Sequence, residues 1–220
     1  MIRKRQGGRT LSFKQKKYPF SLYQDAKTIN QTNLIRKNIE VLLNSEVKCL
    51  TITSAELNDK KPLITAKLGI SFAEQGKNVL LIDGNVHCPS LHQLFDLGSS
   101  EGLTDVLVNG RGRHVPIKQT SYKGLDVLPA GSHFRNASTL FVSRYFNELI
   151  ERWKEEYDLI LFETPQFLEE TDSHILAAKC DATVLVVEER KTKMDAVVKM
   201  KNMLEKARIH VLGVIWSPSH

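Results

Sequence analysis

The sequence predicts an α/β fold of three layers, a mostly parallel sheet with helices on both faces. Three observations predict it. Short β-branched runs alternate with helical segments along most of the chain, the signature of βαβ units around a parallel sheet. The length of 220 residues, 41% of them hydrophobic, suits one domain able to bury a real core. Finally, the chemically distinctive residues fall at the carboxyl ends of the expected strands, where such sheets bind ligands.

Taken in order, residues 1–24 read as a basic tail that precedes a single domain over 25–220. Residues 1–17 hold Arg3, Lys4, Arg5, Arg9, Lys14, Lys16 and Lys17 and no acid, so the formal charge of +6 is concentrated there. The remainder is close to neutral, which argues against a nucleic-acid partner. A tail of this kind is either a solvated, disordered terminus or a patch for anionic lipid or an acidic partner. It lacks the apolar stretch of a secretory signal. No apolar run approaches the ~20 residues of a membrane-spanning helix. Cys49, Cys88 and Cys180, with no CxxC pair, read as reduced thiols of a soluble cytoplasmic protein.

Strands are expected at 49–53, 78–83, 125–128, 159–162, 182–188 and 211–216. Helices are expected at 26–43, 62–75, 90–95, 103–108, 138–155, 172–179 and 192–207, the last with Thr192 as N-cap. His87, Cys88 and His92 lie close together but straddle Pro89 without a fourth ligand of matching spacing, a poor metal pattern.

The first strand leads into Thr53-Ser54-Ala55-Glu56-Leu57-Asn58-Asp59-Lys60-Lys61-Pro62-Leu63, which stands where a phosphate-binding loop belongs. Such a loop presents glycine amides and a lysine to phosphates and a hydroxyl to Mg²⁺. Lys61 occupies the lysine place. Asn58 and Lys60 replace glycines, and Pro62 with Leu63 replaces the hydroxyl pair. Proline removes one backbone N–H, although it is comfortable at the start of a helix. The segment therefore reads as a structural turn, or as a rearranged loop in which Lys60 and Lys61 both clamp phosphate. The second strand ends at Asp83, which either holds a metal-bound water or accepts a substrate proton, or caps the following turn. Glu163 stands where a Walker B carboxylate would lie and is one methylene longer than the usual aspartate.

The ordered set Ile82-Asp83, Pro89-Ser90-Leu91-His92, Glu101-Gly102-Leu103-Thr104-Asp105-Val106-Leu107, Leu128-Pro129-Ala130-Gly131, Asn136-Ala137-Ser138, Tyr157-Asp158, Thr164-Pro165, Thr171-Asp172 and Val211-Leu212-Gly213-Val214-Ile215 resembles the bacterial tyrosine kinases of capsular and exopolysaccharide operons. The resemblance covers nearly the whole chain after the tail. MinD/ParA partition ATPases and iron–sulfur carrier ATPases share the frame less specifically.

The resemblance implies a P-loop NTPase fold, ATP and Mg²⁺ as cofactors, tyrosine phosphorylation, and a membrane-embedded activator or polysaccharide co-polymerase as partner. It also implies peripheral residence at the inner face of the cell membrane. Carried over by position, Asp83, Lys61 and Glu163 are the catalytic candidates. Ser54, Lys60, Lys61 and Ser217 are the cofactor-binding candidates, and Asp83 and Glu163 the candidate Mg²⁺ ligands.

The sequence departs from the family pattern at each of these places. The Walker A glycines and hydroxyls become Asn58, Lys60, Pro62 and Leu63, the second aspartate of the following motif becomes Asn85, and its arginine becomes His87. The Walker B aspartate becomes Glu163, and the adenine-reading asparagine becomes Ser217. The Glu/Arg/Arg set that builds a homomeric ring becomes Asn30, Asn33 and Arg36, and the tyrosine-rich tail is missing. Loss of preorganised donors, each worth ~10²–10³ in rate, speaks against efficient ATP and Mg²⁺ use and against the ring. The adopted expectation is a catalytically weak or inactive regulator of polysaccharide chain length or export. The alternatives are an active kinase with an unusual loop and a MinD/ParA-like ATPase.

Overall fold

A computed structural model describes residues 26–43, 46–58, 60–98, 101–111, 114–134 and 136–218. The basic tail lies outside the described residues. Among the described residues eight helices and seven strands follow one another: α1 (Ala26–Leu42), β1 (Cys49–Thr53), α2 (Lys61–Glu74), β2 (Val79–Asp83), α3 (Leu91–Leu94), α4 (Leu103–Asn109), β3 (Lys118–Gln119), β4 (Leu125–Leu128), α5 (Ala137–Phe141), α6 (Arg144–Glu156), β5 (Leu159–Glu163), α7 (Thr171–Lys179), β6 (Ala182–Glu188), α8 (Met194–Lys206) and β7 (Val211–Ser217). They form one seven-stranded sheet in the order β3-β4-β2-β5-β1-β6-β7. Every pairing is parallel except the antiparallel pair of β3 with β4.

Side chains of successive strand residues point to opposite faces, and the core divides accordingly. Leu50, Ile52, Leu81, Val127, Leu161 and Val184 face α1 and α2, meeting Ile39, Leu68, Ile70 and Phe72. Cys49, Leu80, Ile82, Leu128, Ile160 and Phe162 face the other layer, where Phe141, Phe146 and Trp153 of α5 and α6 are fully buried. α8 packs Met200 and Leu204 near Leu185 and Phe167. Both faces are covered, as a parallel sheet requires.

Two expectations are corrected and one element is added. Residues 138–155 do not form one helix: Ser143 is extended, with φ −65° and ψ 148°, and its side chain accepts from Phe146 N, so α5 stops and α6 begins with its own cap. The two-residue edge strand β3 was not expected, because two residues carry no periodicity. Thr192 does not cap α8. Its Oγ1 instead accepts from Glu188 N at 3.0 Å, and the helix starts at Met194.

Because five neighbouring strands run parallel, their carboxyl ends gather Thr53, Asp83, Glu163, Glu188 and Ser217 along one edge of the sheet. Asp83 and Glu163 sit directly opposite each other in the β2–β5 register, and Ile52 pairs with Glu163 in β1–β5.

Candidate functional site

The loop after β1 is tied to the segment after β5. Ser54 Oγ donates to Glu56 O at 2.7 Å. The carbonyls of Ser54 and Ala55 accept from Phe167 N and Leu168 N at 2.8 and 3.1 Å. Ser54 is thus buried and spent on holding the loop.

Asn58 then closes the turn into α2. Its Oδ1 accepts from Lys60 N at 2.9 Å and Lys61 N at 3.1 Å, the local side-chain bond to which asparagine is suited. The side chain is 6% exposed and its Nδ2 is buried without a hydrogen-bond partner. The amides that a phosphate-binding loop would aim at an anion are here aimed at a side-chain carbonyl. Pro62, in the first turn of α2, brings no N–H, and no side-chain hydroxyl caps the helix.

Lys61 is the first residue of α2 and is 2% exposed. Its Nζ lies 2.6 Å from Glu163 Oε1 and 2.5 Å from Oε2, and it also donates to the carbonyl of Thr164. An ammonium has three N–H donors, and three acceptors meet it inside the protein. Glu163 is fully buried. Burial pushes its pKa up to about 7; the nearby Asp83 adds to the rise, while the Lys61 ammonium and the Thr164 amide oppose it.

Asp83 is also fully buried and acts as a turn cap. Its Oδ1 accepts from Asn85 N at 3.1 Å, and its Oδ2 from Ser90 N at 2.8 Å and Leu91 N at 2.9 Å. Burial raises its pKa, partly offset by those amides and by His92. Of the two roles open to it in the sequence, the cap is the one its contacts fill. Among the described residues no group of three or more His, Cys, Asp or Glu is arranged to hold a metal.

Lys60 turns away from Lys61. Its Nζ lies 3.0 Å from Glu188 Oε1 and donates to Pro218 O at 2.9 Å. Lys191 reaches the same Glu188 oxygen at 3.1 Å. Burial raises the pKa of Glu188, but the two lysines outweigh it and hold the carboxyl below its ordinary value. The two loop lysines therefore do not converge. Lys60 and Ser217 line a cavity of about 370 Å³ together with Thr28, Leu63, Trp216 and Pro218, whereas Lys61 points into the sheet edge.

Three contributors were not expected from sequence. Glu188 supplies the carboxylate that meets Lys60, the Thr164 carbonyl a third acceptor for Lys61, and Asn58 the internal acceptor for the loop amides. Glu188 stood at a recognised strand end, but nothing in the sequence paired it with Lys60, 128 positions earlier. His87 lies 3.4 Å from Asp172 Oδ2 and 3.9 Å from Glu170 Oε2. Its ring meets His133 edge-on at 5.9 Å.

The segments that carried the resemblance knit together beside this edge. Leu103 N and Thr104 N donate to Pro129 O and Ala130 O at 2.8 and 2.9 Å. Asp105 Oδ2 accepts from Gly102 N at 2.8 Å and Ser132 N at 3.0 Å.

Comparison with known proteins bears on the family and the fold. Residues 60–212 match the AAA domain family. The chain is 34% identical over 194 residues to the tyrosine-protein kinase YwqD of Bacillus subtilis (strain 168), covering 87% of this chain and 82% of that protein. Among solved structures, the chimerical protein CapA2B2 superposes with a TM-score of 0.81 at 30% identity, covering 94% of this chain and 88% of that one. The septum site-determining protein MinD of Pyrococcus horikoshii OT3, solved with Mg-ADP, superposes with a TM-score of 0.66 at 24% identity over 77% of this chain and 70% of that one. That likeness concerns the fold alone, the P-loop NTPase frame.

Proposed function

The chain belongs to the AAA domain family and to the bacterial tyrosine-protein kinases, and we propose that it serves there as a catalytically weak or inactive regulator of capsular or exopolysaccharide assembly. The observation that carries this reading is the internal saturation of the loop. Lys61 is held by Glu163 and Thr164, Lys60 by Glu188 and Pro218, and the Lys60 and Lys61 amides by Asn58.

ATP and Mg²⁺ are the cofactors the family implies, and the residues present do not fit them. Phosphate oxygens would have to displace the Asn58 carbonyl from both amides. The Lys61 ammonium would have to leave a buried carboxylate. Asp83 already accepts three amides, and at Glu163 a cation would compete with Lys61. Phosphoryl transfer depends almost wholly on positioned donors and charges, so a site whose donors are committed elsewhere is poorly matched to it.

Regulation then rests on binding. The protein meets a membrane-embedded activator or polysaccharide co-polymerase through its folded surface, while the basic residues 1–17 add attraction to anionic lipid at the inner face of the membrane. A closed homomeric ring is not expected. Arg36 is 5% exposed and paired with Glu40 of its own helix, and Asn33 Oδ1 accepts from Ser71 Oγ at 2.7 Å. Two of the three positions that would face a neighbour are thus spent internally.

The second reading, an active kinase, has one observation on its side: Asp83 and Glu163 are adjacent at the strand ends, with Lys61 on Glu163. A loop-repair experiment separates the two. Asn58→Gly, Lys60→Gly, Pro62→Ser and Leu63→Thr are introduced singly and together, and the rise in Tm with ATP and Mg²⁺ is measured. A ligand at 100 times its Kd stabilises by ~2.7 kcal/mol. The regulator reading expects little shift in the parent and in each single variant, and a clear shift only in the combined one, because residues acting on one phosphate chain are not additive. A full shift in the parent protein would favour the active kinase.

A further inference from the structure

At the end of the sheet opposite the loop, the start of β1 meets the end of α7. Cys49 is fully buried, and its Sγ lies 2.8 Å from Sγ of Cys180, the residue that closes α7. The two cysteines are 131 positions apart in the chain, so the approach is made by the fold. The backbone enforces it without help from sulfur. Asp181 Oδ2 accepts from Lys48 N at 2.9 Å and Cys49 N at 2.8 Å, and Asp181 N donates to Cys49 O at 2.9 Å. Lys154 then anchors Asp181 through Oδ1 at 2.7 Å, while Lys48 Nζ donates to Lys154 O at 2.8 Å.

Both cysteines are free thiols, and a covalent S–S bond measures about 2.05 Å. The sulfurs are closer than ordinary packing brings two thiols, and a small approach would join them. We propose that Cys49 and Cys180 are a redox-sensitive pair that closes to a disulfide under a peroxide-class oxidant and reopens with a dithiol reductant. A disulfide in a reducing compartment is transient and oxidant-driven, which fits a pair held ready as thiols.

The half-buried Cys180 is the thiol the oxidant meets. Its sulfur attacks one peroxide oxygen, the O–O bond breaks, and Cys180 becomes a sulfenic acid with release of water. Cys49 sulfur then attacks Cys180 sulfur. The S–S bond forms, the S–O bond breaks, and hydroxide leaves with the Cys49 proton as a second water. One peroxide is reduced by two electrons and two thiols are oxidised by two. A dithiol reverses this by exchange, itself becoming a disulfide. Burial and the adjoining Cys49 thiol raise the Cys180 pKa well above its ordinary value. Only the thiolate is nucleophilic, so closure is slow at neutral pH and accelerates as pH rises. The closed bond pins the base of β1 to α7 across a long loop, which raises Tm by roughly 5–15 °C.

The test uses the full chain carrying Cys88→Ser, which removes the exposed third thiol. The folded protein is treated with hydrogen peroxide, quenched, denatured, blocked with N-ethylmaleimide and weighed by intact mass spectrometry. The expected product takes up no maleimide and is lighter than the reduced chain by two hydrogens. Dithiothreitol restores two maleimide additions, and Tm measured before reduction is raised. Adding Cys180→Ser leaves Cys49 alkylatable and Tm unresponsive to peroxide. Two maleimide additions after peroxide, oxygen gained on Cys180 with Cys49 still alkylatable, or a disulfide that lowers Tm would each overturn the proposal.

Discussion

Lys61 and Glu163 put a formal ion pair where water does not reach: the residues are 2% and 0% exposed. Removing one partner of a buried pair typically costs about 3–5 kcal/mol, whereas replacing both with apolar residues of similar volume is often neutral or stabilising. At pH 8, above the raised Glu163 pKa of about 7, Glu163→Gln should therefore destabilise by that amount in urea unfolding, and Lys61→Met with Glu163→Leu should recover most of it. A double variant as unstable as the single one would mean that the pair is more than a self-contained structural unit.

The pH dependence follows from the raised Glu163 pKa. Between its ordinary value of 4.5 and about 7, the folded protein holds a proton that the unfolded chain has released. Stability contributed by this group is thus fully present below about 4.5 and is lost as pH rises to about 7. The slope is at most about 1.4 kcal/mol per pH unit. Denaturant unfolding across that window should show the decline in the parent protein and a flatter profile in Glu163→Gln. Identical slopes in both would remove Glu163 as its source.

At this scale the sequence singled out the candidate residues but not their contacts. Asp83, Lys61 and Glu163 were placed by their positions at strand ends and at a helix start. What each of them touches depends on register between strands distant in the chain. The Asp83–Glu163 adjacency is a β2–β5 pairing that no local pattern specifies. Asn58 was legible as a lost glycine, but its use as an internal acceptor for two amides was not.

Among the elements, the long strands were legible because apolar β-branched runs are strong signals. The break between α5 and α6 was not, because Ser143 lies inside a continuous helical pattern and acts only through its bond to Phe146 N. β3 exists because β4 offers it an edge. The segments that marked the family prove to be a packing junction, and Gly102 tests it. A Cβ there would stand 2.2 Å from Pro129 O and 2.3 Å from Gly131 N, both backbone atoms with little freedom to move. Gly102→Ala should therefore destabilise by about 1–3 kcal/mol, in the range of overpacked interiors, measured as a shift in urea midpoint at constant m-value. An unchanged midpoint would show that the junction yields easily.

For the molecule as a whole, charge and fold are separated along the chain. Seven basic residues precede the first acid, Asp25, and the rest is nearly neutral. Among the described residues no helix is long and apolar enough to cross a membrane, and the proposed lipid attraction belongs to the basic residues 1–17. Each Lys or Arg near anionic lipid contributes ~1 kcal/mol, screened over ~8 Å at physiological salt. Co-sedimentation with phosphatidylserine vesicles should fall with salt and on deletion of residues 1–17. Equal binding by both chains at low salt would assign the membrane contact to the folded surface instead.

The protein keeps the fold of the bacterial tyrosine-protein kinases while its phosphate loop is satisfied from within. Titration calorimetry of the full chain with ATP, in the presence and absence of Mg²⁺, tests it most directly. Binding should be weak, and nearly the same with and without the cation, because Asn58 holds the loop amides, Glu163 and Thr164 hold Lys61, and neither Pro62 nor Leu63 offers a hydroxyl. Micromolar binding that requires Mg²⁺ would contradict it.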